Sequence, residues 1–198
     1  MRKILSGITV LLVLFILTPI VTAQAPYLQV YFDQGLTETY ANCPNSPPGS
    51  VIDTIYVVAH NFDAWLNGIE FRIDYPPQMM WLGDQFDPNA LHIGNTNQGI
   101  GLAWTIPFNA FVPNVVLSAI VLWMCDNCDT PNMNQVVCFN VYPGSGYLRA
   151  VRWPDLELIY GQSGTAVICP ACGAWRPCDQ LPVPVERTTW GGIKAMYH

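Results

Sequence analysis

Seven cysteines are the residues best equipped for chemistry: Cys43, Cys125, Cys128, Cys138, Cys169, Cys172 and Cys178. Four of them form two Cys-x-x-Cys pairs, Cys125/Cys128 and Cys169/Cys172. Three uses compete for thiols in this arrangement. Structural disulfides come first, because a chain bound for export meets an oxidising compartment. Tetrahedral zinc held by Cys125, Cys128, Cys169 and Cys172 comes second: the ligand types suit it, but the forty residues between the pairs far exceed ribbon spacing. Redox catalysis comes last, since a reactive Cys-x-x-Cys opens a helix whose N-terminus stabilises the thiolate. Asp129-Thr130-Pro131 and Gly173-Ala174-Trp175 offer no such helix. The expectation is cross-links, with no resident metal and no cofactor. An odd count leaves at least one thiol free or paired with another chain.

Other chemistry is poorly served. Glu70 and Asp74 are the closest approach to a hydrolytic carboxylate pair. On a strand they lie ~13 Å apart, beyond the ~5–10 Å that glycoside hydrolysis uses, and Arg72 stands between them as one rung of a charge ladder. His60, His92 and His198 have no partner at metal-ligand spacing. Residues 84–89 (DQFDPN) lack the EF-hand pattern, and no nucleophile elbow or phosphate loop occurs. No residue is assigned a catalytic role, and an enzyme is not expected. Trp65, Trp81, Trp104, Trp153 and Trp175 sit in or beside turns, where flat rings can act as platforms for pyranose faces. The competing use of these rings is to cover the ends of the fold.

The elements that must position these groups begin after an export signal. Arg2 and Lys3 precede an uncharged stretch from Ile4 to Val21, and Val21-Thr22-Ala23 puts small residues ahead of a cut before Gln24. Residues 1–23 are read as a signal-peptide helix, residues 24–180 as one β domain, and residues 181–198 as a linker and short tail. The leader holds two of the eight basic residues and none of the 14 acidic ones, so removing it makes a chain of net charge −6 still more acidic. Such a surface repels nucleic acid and anionic lipid, and no membrane contact beyond the signal peptide is expected. At 51% hydrophobic and 11% charged residues, the remainder is a packed domain rather than a disordered one.

Within the domain, Ile69, Phe71, Ile73 and Tyr75 alternate with Glu70, Arg72 and Asp74, the period of a half-buried strand. Asn67-Gly68 is read as the turn before it and Pro76-Pro77 as its end. Val115 to Met124 reads as a central strand buried on both faces. Further strands are expected at 27–32, 51–59, 79–82, 91–93, 100–105, 135–142, 147–151, 155–160 and 165–168. Nine or ten short strands with turns between them predict an all-β fold, a two-sheet antiparallel sandwich of Ig-like or jelly-roll type.

The segment Leu66 to Met80 (LNGIEFRIDYPPQMM) resembles a strand-and-turn pattern of cohesin-like and carbohydrate-binding-module-like sandwiches, with Gly68, Tyr75 and Pro77 in the matching places. The whole layout also resembles a group of secreted bacterial proteins that begin with a strand ending like Tyr31-Phe32-Asp33. That group closes with a tail like Thr189-Trp190-Gly191-Gly192-Ile193-Lys194. The tail concentrates Trp190, Ile193, Met196 and Tyr197 beside Lys194, the only lysine outside the leader, and is a candidate recognition element. The expected function is a non-catalytic secreted, periplasmic or cell-surface domain with a structural, adhesive or assembly role, its partner a protein or glycan at the cell surface. Carbohydrate binding by exposed rings is the alternative, and a secreted hydrolase the third. Material purified from an exporting host is expected to start at Gln24 on N-terminal sequencing; secreted material with Met1 intact would contradict the cleavage.

Overall fold

Ile69, Phe71 and Ile73 are buried while Glu70, Arg72 and Asp74 are half-buried, as their alternation predicts. The computed structural model describes residues 25–41, 49–77, 79–125 and 136–168. The expected signal helix and C-terminal tail lie outside the described residues. In chain order the strands are β1 Tyr27–Tyr31, β2 Tyr40–Ala41, β3 Gly49–His60, β4 Trp65–Asp74, β5 Met79–Gln85, β6 Ala90–Asn95, β7 Gly99–Asn109, β8 Asn114–Cys125, β9 Val136–Asn140, β10 Arg149–Trp153, β11 Leu158–Tyr160, β12 Gln162–Ser163 and β13 Thr165–Ile168. They form two sheets. The first has the order β12-β1-β3-β8-β5. In the second, β11-β10-β4-β9-β13-β2 forms the main path, with β7 also on β4 and β6 on β7.

Inward-facing side chains from both sheets make one core. Leu28, Val30, Ile55 and Val57 of the first sheet are fully buried against Phe71, Ile73 and Ile100 of the second. Phe71 and Phe139 meet edge to face at 5.7 Å, as do Phe32 and Trp123 at 5.3 Å. The all-β sandwich read from the strand spacing is the observed architecture.

Three local expectations are corrected. Asn67-Gly68 is no turn: both residues lie inside β4, where the β4–β7 register shifts between Leu66 and Gly68. A Cβ on Gly68 would stand 2.7 Å from the Leu102 carbonyl oxygen, so this glycine lets β4 and β7 close together. β8 is not buried on both faces, because Ser118, Ile120 and Leu122 are half-exposed on the outer side. The strand lies one place in from the edge, between β3 and β5. The two-residue strands β2 and β12 were not expected. Each pairs in parallel, β2 with β13 and β12 with β1, because the chain after β11 crosses to the first sheet and returns to the second.

The opposite side of the sandwich is closed by hydrogen bonds. Asp84 lies one residue before the end of β5 in the first sheet, and Thr96 opens the β6–β7 turn in the second. Asp84 Oδ2 accepts the Thr96 N–H at 2.8 Å, and Oδ1 accepts the Thr96 hydroxyl at 2.6 Å and Trp81 Nε1–H at 3.0 Å. The Thr96 carbonyl accepts Ile73 N–H at 2.8 Å, and its Oγ1, having donated to Asp84, accepts the Tyr75 hydroxyl at 2.6 Å. Burial raises the Tyr75 phenol well above its ordinary pKa, and the Asp84 charge adds to this, so Tyr75 remains a donor. Thr96 is fully buried. Thr96→Val keeps its shape but leaves Tyr75 without an acceptor and Asp84 short of a donor. The expected loss in urea unfolding is about 2 kcal/mol with an unchanged slope; a loss below about 0.5 kcal/mol would remove this network as a determinant of stability.

Candidate functional site

The outer face of the second sheet is where polar side chains are expected, and its centre is bare. Along β7 the large residues Ile100, Leu102 and Trp104 point into the core, so Gly101 and Ala103 face out. On β4 the outward position beside them is Gly68. Val151, Leu156 and Leu158 rise on the β10–β11 side, and a groove of about 650 Å³ lies over the small-residue floor. Across the floor, Leu91 pairs with Ala103 and Ile93 with Gly101, which places both side chains on the same face; they are 66% and 76% exposed. A Cβ on Gly101 would meet nothing within 4 Å, so the space above it is open.

One end of the groove is polar. Glu70 and Arg149 are cross-strand partners, and Arg149 Nε–H donates to Glu70 Oε1 at 2.5 Å. The Ser145 hydroxyl donates to the same oxygen. The Arg149 guanidinium also lies 5.8 Å from the centroid of the Tyr147 ring, which itself meets Tyr160 edge to face at 5.4 Å. Ser145 and Tyr147 come from the loop of residues 141–148 between β9 and β10, two strands that pair with successive stretches of β4. Such a loop delivers a hydroxyl to Glu70 and a ring to Arg149 without breaking the sheet.

The remaining carboxylate of the ladder is also engaged. Asp74 accepts from Arg72 Nε at 2.9 Å and from Asn140 Nδ2 at 2.7 Å. The ladder expected as Glu70-Arg72-Asp74 is therefore split, with Glu70 held by Arg149 and Asp74 by Arg72. His60 is enclosed by two tyrosines, stacked on Tyr27 at 4.8 Å and hydrogen-bonded through Nε2 to the Tyr31 hydroxyl at 3.1 Å. Burial lowers its pKa. Asp33, from the Tyr-Phe-Asp motif, organises the loop after β1 by accepting Glu38 N–H at 2.6 Å and Thr37 N–H at 2.9 Å. The Glu38 contact leads in holding its carboxyl below the usual range.

The five candidate platform tryptophans separate. Trp65 and Trp153 are directly opposed across β4 and β10 and are 42% and 47% exposed. Phe111, 54% exposed, meets Trp65 edge to face at 6.2 Å. Trp104 is a correction: it is in the core, stacked on Phe108 at 4.7 Å, because it occupies an inward position of β7. Trp81 is half-buried and its indole N–H is spent on Asp84. Trp175 lies outside the described residues.

Cys138, on β9, is disulfide-bonded. Cys43, Cys128, Cys169, Cys172 and Cys178 lie outside the described residues, as does the side chain of Cys125. The tail residues Trp190, Ile193, Lys194 and Tyr197 also lie outside them. The residues that the sequence reading missed are Gly101, Ala103, Val151 and Leu158. A signal for the first two was present, since residues 100–104 alternate large with small.

No protein-family model matches the chain, and no curated protein matches its sequence. Solved structures similar to it include a non-cellulosomal cohesin from the archaeon Archaeoglobus fulgidus, at 8% identity and TM-score 0.46, over 73% of this chain and 91% of that one. The seventh type I cohesin of ScaB from Pseudobacteroides cellulosolvens is 10% identical, with TM-score 0.40, over 83% of this chain and 97% of that one. A type III cohesin module of the cell-surface anchoring scaffoldin ScaE from Ruminococcus flavefaciens is 10% identical, with TM-score 0.36, over 64% and 73%.

Proposed function

We propose that this chain is a secreted, non-catalytic β-sandwich with a structural, adhesive or cell-surface assembly role, holding a protein partner on the outer face of its second sheet. The observation that carries this reading is the groove. A sandwich face turned to water is ordinarily polar, whereas this one exposes glycine and alanine between aliphatic walls. Burying apolar area there contributes roughly 25 cal/mol per Å², and the fixed Glu70–Arg149 pair at one end gives the partner an orientation. The first sheet carries a row of Ile52, Leu122 and Met80 in register, with Ser118 hydrogen-bonded to Gln85 further along β8 and β5. The engagement of Glu70 and Asp74 by arginines supports a binding rather than a hydrolytic role. The cysteines are proposed to cross-link the domain for life outside the cytoplasm, and segment 188–197 to add a second contact.

A specific observation favours a second reading. Trp65, Trp153 and Phe111 form an exposed aromatic group beside the groove, the residue types that take pyranose faces. One comparison separates the two. A photo-crosslinking residue at Val151, but not one at Ser118 on the opposite sheet, is expected to capture a protein from cell-surface material, and Gly101→Leu is expected to abolish capture with stability unchanged. Equal capture from both positions, or capture that survives Gly101→Leu, would contradict the groove. Glycan-array binding lost in Trp65→Ala/Trp153→Ala, with no protein captured, would establish the second reading.

A further inference from the structure

The sandwich ends in five kinds of strand edge, and four are protected. β2 and β12 have two residues each and β11 has three. β5 has seven, but its register shifts between Trp81 and Gly83. Short length and bulges are how sheets avoid pairing with other chains. β6 has neither device. Its six residues pair with β7 in unbroken register from Ala90↔Trp104 to Asn95↔Gly99, and no described strand lies on its other side. Leu91, His92, Ile93 and Gly94 are four consecutive exposed residues. The strand (ALHIGN) contains no charge, no lysine and no proline. The connector from β5 packs Phe86 on the His92 ring at 4.0 Å and leaves these residues exposed.

We propose that β6 pairs antiparallel with β6 of a second copy of this chain, about a two-fold axis through His92, to make a continuous sheet across a homodimer. This surface is the backbone edge of the sheet, which borders the groove through Leu91 and Ile93, and the inference does not rest on the proposed function.

The sequence selects that partner and that register. In a two-fold antiparallel pair, residues opposite each other have a constant sum of numbers. Centred on His92, Leu91 faces Ile93 of the other copy on the outer face, and Ala90 faces Gly94. Asp87 then falls opposite Asn97 and Asn89 opposite Asn95, so no like charges meet. Centring on Ile93 instead would put Leu91 against Asn95. Two acidic chains, each of net charge −6, repel over most of their surfaces, and the uncharged β6 strip lets them approach. A strand pair ~20 Å long buries less than the ~1,200 Å² of a standard interface, so a reversible micromolar dimer is expected.

Sedimentation equilibrium on the purified protein tests this. Wild type is expected to dimerise at micromolar concentration, more tightly as added salt screens the net charge. Leu91→Lys/Ile93→Lys places lysine against lysine and is expected to weaken dimerisation more than about tenfold. Both positions are exposed, so its melting temperature serves as a folding control. Leu91→Lys/Ile93→Glu carries the same number of substitutions but sets each lysine opposite a glutamate, and is expected to restore a dimer that salt now weakens. Gly101→Leu, in the groove, is expected to leave dimerisation unchanged. A wild-type monomer throughout, or a dimer that the double lysine variant does not weaken, would overturn the proposal. So would a monomer whose amides at 91–94 are protected from hydrogen exchange, which would mean that this chain's own segment covers the edge.

Discussion

The hydrogen bonds from Thr96 to Asp84 carry more of this architecture than their number suggests. A sandwich of two sheets must be held at both sides as well as through its core. On one side the chain itself does this, running from β11 to β12 and back to β13. On the other, the connectors 75–78 and 86–89 pass between β5 and the second sheet, and connectors of that kind fix distance but not angle. The Asp84 carboxylate supplies the angle. Both of its oxygens engage one residue, Thr96, and that residue is tied to β4 by its carbonyl and to Tyr75 by its hydroxyl. A charged acceptor makes such bonds stronger than neutral pairs, and burial of Thr96 keeps water from competing for them.

The face of the second sheet depends on that anchoring. β6 and β7 are joined by the turn that Asp84 holds, and Gly94, with φ of 83°, bends the chain into it as a side-chain-bearing residue would not readily do. With the hairpin fixed, Gly68 allows β7 to lie tightly against β4, and the outward positions Gly101 and Ala103 become a floor. Side chains too small to meet one another leave the groove open. Loop 141–148 then sets Ser145 and Tyr147 around the Glu70–Arg149 pair, so a polar end is held in place beside an apolar trough. Floor, wall and polar end come from β4, β7, β10 and β11, and a partner would meet them already ordered.

Much of this was legible in the residues, and the exceptions are physical. The alternation from Ile69 to Asp74 marks β4 because its inward face is buried and its outward face is not. Val115 to Met124 shows how the same reasoning overreaches: Ile120 and Leu122 are apolar but face outward, and hydropathy does not distinguish an exposed aliphatic from a buried one. Asn67-Gly68 has the composition of a turn, yet here the glycine answers to the Leu102 carbonyl on a neighbouring strand. Trp104 stands next to a polar threonine, but strand phase sends it inward. The site itself rests on pairs far apart in sequence, Glu70 with Arg149 and Leu91 with Ala103, and only the fold creates them.

Native-state hydrogen exchange at the Thr96 amide tests the anchoring most directly. An amide in a three-residue hairpin turn ordinarily exchanges by small local openings. The account predicts instead that Thr96 N–H exchanges only with global unfolding, with the same free energy and denaturant dependence as the core amide of Phe71. Exchange at the rate of its turn neighbours Asn97 and Gln98, insensitive to denaturant, would show that the Asp84 contact opens freely and does not hold the two sheets in register.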